Sequence, residues 1–196
     1  ALTGYYKDLT RFNTSFLKYN EQDVVAGLRA LGYDEFVKIT AFAYMRKEQP
    51  PRSGQYSFPN NNVAGIQTDG SQQAGLTTEY VDFQTCYQDA ETWRAFAGFI
   101  TLDRGLDAFL RTVATRYQTE WAGKEPTGTL DQITTQLADN YYQGWNVRAT
   151  DEELATMKET GSFTRGSSTY TRNWAAAKSA FETSYNLYQQ GGTVTS

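Results

Sequence analysis

Carboxylates are the side chains best placed to do chemistry in this chain of 196 residues, which has no histidine and a single cysteine, Cys86. Ser–His–Asp and Cys–His nucleophilic sites are thereby excluded, and no usual zinc ligand set remains. Cys86 has no partner for an internal disulfide. Without a bound cofactor, catalysis falls to Asp, Glu, Tyr and Lys, and carboxylate pairs point first to glycosidic bonds. Glu48 has the most telling position. Val37, Ala41, Tyr44 and Glu48 stand at i, i+4, i+7 and i+11, one face of a helix. Phe36, Ile39, Phe42, Ala43 and Met45 make most of the remaining surface apolar as well, and Pro50 and Pro51 stop the helix near Glu48. A carboxylate that extends an apolar stripe at the negative end of a helix dipole is expected to hold its proton, as a general acid must. The plain alternative is a solvated Glu at a helix end.

The elements around Glu48 follow from periodicity. Asn20 reads as the N-cap of a helix carrying Val24, Val25, Leu28 and Leu31, closed by Gly32. After Glu48, residues 49–62 hold Pro50, Pro51, Gly54, Pro59 and three consecutive Asn, an irregular loop that shapes a groove. Residues 63–68 read as a short strand closed by Asp69-Gly70, and residues 75–84 and 92–99 as two more around a turn at Gln88-Asp89. The helical period returns with Leu106, Phe109, Leu110 and Val113, and again with Leu130, Ile133, Leu137, Tyr141 and Trp145. Thr150 to Glu153 spells a capping box for a helix to about Thr160. Residues 161–168 read as a polar linker, and residues 173–189 as a last amphipathic helix before a disordered tail. The fold class expected is α+β, mainly helical, with a small antiparallel ribbon beside a cleft. The expected division is a body over 1–160, with residues 161–196 a linker and helix packed on or appended to it.

A net charge of −4 with scattered Lys and Arg argues against nucleic acid as a partner. No apolar run approaches the roughly 20 residues of a membrane span. The chain opens on Ala1 in a polar segment, so any export signal is expected to be already removed or not encoded here. Aromatics make up 15% of residues, with fourteen Tyr, which suits stacking on sugar rings.

The order of these segments resembles the bacterial and phage glucosaminidase family of peptidoglycan hydrolases. It is carried by a helix ending in Glu48, then Asn61-Asn62-Val63-Ala64-Gly65-Ile66-Gln67, a hairpin, and Phe96-Ala97-Gly98-Phe99 leading into the helix at Leu102. Tyr141-Tyr142-Gln143-Gly144-Trp145 resembles the aromatic helix that closes the cleft in relatives, so the likeness spans roughly residues 39–145. It implies a lysozyme-like fold with Glu48 as the catalytic acid and a second carboxylate on the hairpin, matched by Glu79. The family's small residue and Gly-Trp-Gly turn after the acid are replaced here by Gln49-Pro50-Pro51.

Cleavage of a β-1,4 aminosugar linkage is therefore expected, glucosaminidase or muramidase-like, with no metal and no organic cofactor. Glu48 would protonate the glycosidic oxygen, and Glu79 or the substrate's own N-acetyl group would meet the charge developing at the ring. Tyr56, Tyr80, Tyr141 and Trp145 are candidates for stacking, and Asn61, Asn62, Gln67 and Asp69 for hydrogen bonds to the glycan. Peptidoglycan strands are the expected partner, so a secreted, periplasmic or virion-associated site of action is expected. Two other readings stand beside it: a glycan-binding module with a decayed site, and a structural scaffold whose last helix serves assembly.

Overall fold

A computed structural model describes residues 10–11, 14–68, 78–89 and 92–192. The chain is α+β and mainly helical, with six α-helices and three small sheets among the described residues.

Helix α1 (Glu21–Ala30) starts where expected, with the Asn20 side chain accepting from the Asp23 backbone N–H at 2.8 Å. It buries Val24, Val25 and Leu28. Helix α2 (Glu35–Glu48) is buried nearly all round from Val37 to Met45, so it runs through the core. It stops at Gln49, whose N–H bonds Met45 O at 2.8 Å, because Pro50 supplies no donor for another turn. Helix α3 (Leu102–Gln118) is capped by Thr101 and buries Leu106, Phe109, Leu110 and Val113. Helix α4 (Leu130–Asn140) opens on a capping box of Thr129 and Gln132. It gives way to a π-helical turn, Tyr141–Trp145, instead of running on as one α-helix. Helix α5 (Asp151–Thr160) has the expected Thr150–Glu153 capping box. Helix α6 (Trp174–Gln189) is capped by Asn173.

Strand β1 (Thr10–Arg11) lies parallel to β4 (Phe83–Asp89), and β4 pairs antiparallel with β5 (Thr92–Gly98) in the register Phe83↔Gly98 to Asp89↔Thr92. The expected hairpin is present, but its sheet also has a parallel edge. Strands β2 (Phe16–Asn20) and β3 (Gln55–Pro59) form a second, antiparallel pair. They fall in segments expected to be a lead-in and an irregular loop. In β3 the alternation is visible afterwards: Tyr56 and Phe58 point in while Gln55 and Ser57 point out. Residues 63–68 are not a strand; only Gln67 bridges Phe96. The expected strand over 75–84 begins at Phe83, its first residues lying outside the described ones, as do Asp69 and the end of the tail.

The expected linker over 161–168 is a β-hairpin, β6 (Ser162–Arg165) and β7 (Ser168–Thr171), turning at Gly166, whose φ of +61° suits glycine. Helix α6 belongs to the main core. Phe181 lies 5.4 Å from the Tyr44 ring and Tyr188 lies 6.0 Å from Phe42, so α6 closes one side of α2. Ile66, Val81, Ala97, Phe99 and Ala108 form a smaller cluster between the sheet and α3.

Candidate functional site

Glu48 is the last residue of α2 and is exposed. The stripe of Val37, Ala41 and Tyr44 is buried as expected, but the core ends at Met45 and the last turn stands clear of it. The expectation of an acid wrapped in apolar surface is thus corrected. What Glu48 has instead is a defined partner: the Tyr141 hydroxyl donates to its Oε1. Tyr141 is buried against Tyr44 and Phe181. Burial, and after it the bond to Glu48, pushes the phenol far above its ordinary range, so it keeps its proton and donates a hydrogen bond to the Glu48 carboxylate.

Tyr141 is aimed by the π-turn. The Asn146 N–H bonds Tyr141 O at 2.7 Å, and the Arg116 guanidinium donates to Gly144 O while lying 4.6 Å from the Trp145 ring. Gly144 is required there, since a Cβ would meet Trp121 Nε1 at 2.2 Å. The Asn146 amide also bears on the Tyr141 hydroxyl, and Arg172 Nε donates to Asn146 Oδ1 at 2.8 Å. Tyr142 lies within the influence of both Arg172 and Glu48; burial raises its phenol, with Arg172 opposing that rise and Glu48 adding less to it. Glu48, Tyr141, Asn146 and Arg172 therefore form one polar series.

On the other side of Glu48, Gln49 Nε2 donates to Val63 O at 3.0 Å and lines a cavity of about 200 Å³ with Asn62, Thr85 and Phe96. The three Asn residues do not offer their amides to a ligand. Asn60 and Asn61 take φ of +52° and +58°, a region Asn tolerates. Asn61 accepts from Tyr19 OH at 2.6 Å and donates to Phe99 O at 3.0 Å. Asn62 donates to Ile66 O and Ala97 O and accepts from Ile66 N at 3.0 Å, so both of its amide protons are used. These groups tie the loop to β5. Tyr56 is fully buried against Phe58, and Trp145 packs on Tyr44 and Phe109. Gln67 is half-buried at its bridge to Phe96.

Glu79 is not on a hairpin strand. It lies in a one-turn 3₁₀-helix, Thr78–Tyr80, with an exposed side chain and a carbonyl that accepts from Arg104 Nη2. The chain needs that turn to enter β4, so the strand alternation assumed for Glu79 does not reach it. The Tyr80 ring is covered by the Arg111 guanidinium at 3.6 Å, so that face is not open for stacking. The structure thus brings Glu48 and Tyr141 together, and holds Glu79 and Tyr80 on the flank of α3. Among the described residues there is no cluster of His, Cys, Asp or Glu suited to a metal, and no helix long and apolar enough to cross a membrane.

Asp82 closes the same flank. It pairs with Arg104 at 2.7 Å and accepts the Ile100 N–H at 2.9 Å. Burial opposes its ionisation, but the Arg104 and Ile100 bonds outweigh this and hold its pKa below the ordinary value. A depressed carboxylate stabilises the fold above its unfolded pKa and loses that contribution as pH falls through the folded one. Asp82→Asn should therefore cost about 1 kcal/mol at neutral pH. Thermal melts should show the gap between the two proteins closing below about pH 3. A gap unchanged by acid would remove the ion pair from the account.

Sequence reasoning missed Asn146, Arg116 and Arg172. Gly144 inside the α4 stripe was the available sign of the π-turn, and Arg165-Gly166-Ser167 that of the hairpin delivering Arg172. Comparison of the chain with protein-family models, with curated proteins and with solved structures gives no match.

Proposed function

We propose that the protein is a glycoside hydrolase that cleaves a β-1,4 aminosugar linkage in peptidoglycan strands, with Glu48 as general acid. The observation that supports this most is the Tyr141 hydroxyl held on the Glu48 carboxylate at the solvent-facing end of a core helix. A general acid must meet a substrate oxygen, so an exposed carboxyl at the end of a rigid helix, with one oxygen held by Tyr141, is a suitable place for it. A glycan strand lying over Glu48 brings its glycosidic oxygen to the carboxyl, which donates a proton to it as the bond breaks. Glu79 is tethered to α3 through Arg104, whereas Glu48 is tethered to the π-turn. We therefore assign the second role to the N-acetyl group of the substrate, which needs no paired carboxylate. Such an enzyme would meet its substrate as a secreted, periplasmic or virion-associated protein.

The exposure of Glu48 favours one other reading, a module that holds glycan without cutting it. Incubation with purified sacculi separates the two. The hydrolase releases soluble muropeptides with new reducing ends, in chelator as in its absence. The module sediments with sacculi and releases nothing.

A further inference from the structure

Residues beyond the segment that carries the family resemblance build a second concavity. Met157 and Lys158 of α5, Arg172 after β7, and Trp174 at the start of α6 line a cavity of about 380 Å³. This lies within the usual size range of small-molecule sites. Trp174 is fixed in it: the indole N–H donates to Asp139 Oδ1 at 2.9 Å, and Lys158 Nζ stands 4.6 Å from the ring centroid. Lys158 is itself neutralised by Asp139 at 2.8 Å. Arg172 is not. Its Nε donates to Asn146 and its Nη1 to Thr171 O, both neutral acceptors, and it pairs with no carboxylate among the described residues. The cavity therefore presents a rigid indole and one uncompensated guanidinium with donors to spare. The polar series through Asn146 and Tyr141 links Arg172 to Glu48, and three such contacts in a row cannot span much more than about 10 Å.

We propose that this cavity is a subsite for a carboxylate-bearing sugar of a glycan strand, with the sugar alongside Trp174 and Lys158 and the carboxylate on Arg172. The carboxylate belongs to the lactyl ether of a muramyl sugar or to the peptide it carries. The inference rests on reading Glu48 as the glycan-cleaving acid, and it assigns to residues 162–174 the choice of which sugar lies beside that acid.

The test is calorimetric binding in the Glu48→Gln protein, so that no probe is consumed. Three probes are compared: neutral chitotetraose, the glucosaminyl-muramic disaccharide with a free lactyl carboxylate, and that disaccharide carrying a tetrapeptide. The anionic probes should bind more tightly than chitotetraose. Arg172→Gln should weaken at least one of them by roughly ten-fold or more and chitotetraose by less than about two-fold. Which anionic probe responds tells the lactyl carboxylate from the peptide one. Arg172→Lys, which keeps the charge, should recover most of the loss and guards against a variant that simply misfolds. Equal weakening of all three probes by a folded Arg172→Gln protein, or no weakening, would overturn the subsite. Selective binding with no cleavage of sacculi by the unsubstituted protein would remove the hydrolase and leave the subsite standing. Cleavage with binding indifferent to Arg172 would do the reverse.

Discussion

Glu48→Gln should lower the release of soluble fragments from sacculi by about a hundred-fold or more, with no measurable change in Tm. The two halves of this expectation have separate causes. Gln keeps the size of Glu and an oxygen to accept from Tyr141, so the π-turn loses no partner. The side chain is exposed, so no core contact is disturbed. What disappears is the only proton the residue can give. Reducing-end assays on the two proteins at matched concentration, beside melting curves, are sufficient. Release at the unsubstituted rate would dismiss Glu48 as the acid, and a large fall in Tm would mean that its role is structural.

Gly105→Ala should cost about 3 kcal/mol or more, equivalent to a fall in Tm of roughly 6–12 °C. In an ordinary helix the same change helps by up to about 1 kcal/mol, because Ala is the better helix former. Here the new Cβ would fall 1.9 Å from the carbonyl oxygen of Asn61. That oxygen is backbone, and Asn61 is pinned at φ +58° by its bonds to Tyr19 and Phe99. Relief requires either α3 to move out of the core or the Asn brace to open, and both lose buried hydrogen bonds. A Tm equal to or above that of the unsubstituted protein would show that the helix and loop are not in this contact.

The helices were legible because their signals are local. Asn20, Thr150 and the Pro50-Pro51 stop act on the backbone within a few residues, so each boundary could be read from its own neighbourhood. The strands at 16–20, 55–59 and 162–171 were not legible, since half of each faces water with polar side chains and its pairing partner is defined only by the fold. The Asn run reads as ligand-binding because amides suit sugars. Its actual use follows from backbone angles that composition does not reveal. Glu48 shows the same limit in reverse. The helical wheel rightly put it in line with Tyr44, but a wheel has no end, whereas the core stops at Met45.

Helix α6 has a consequence for how the protein is made. The face of α2 that carries Phe42 and Tyr44 is covered by Phe181 and Tyr188, from a segment far downstream in synthesis. A ribosome-bound chain that has not yet released residues 174–189 therefore carries a central helix with open aromatic surface. Closing that surface joins distant parts of the chain, which is slow and leaves sticky intermediates in the meantime. Pulse-labelled nascent chains should accordingly stay protease-sensitive and chaperone-bound until α6 has emerged, and become resistant soon afterwards.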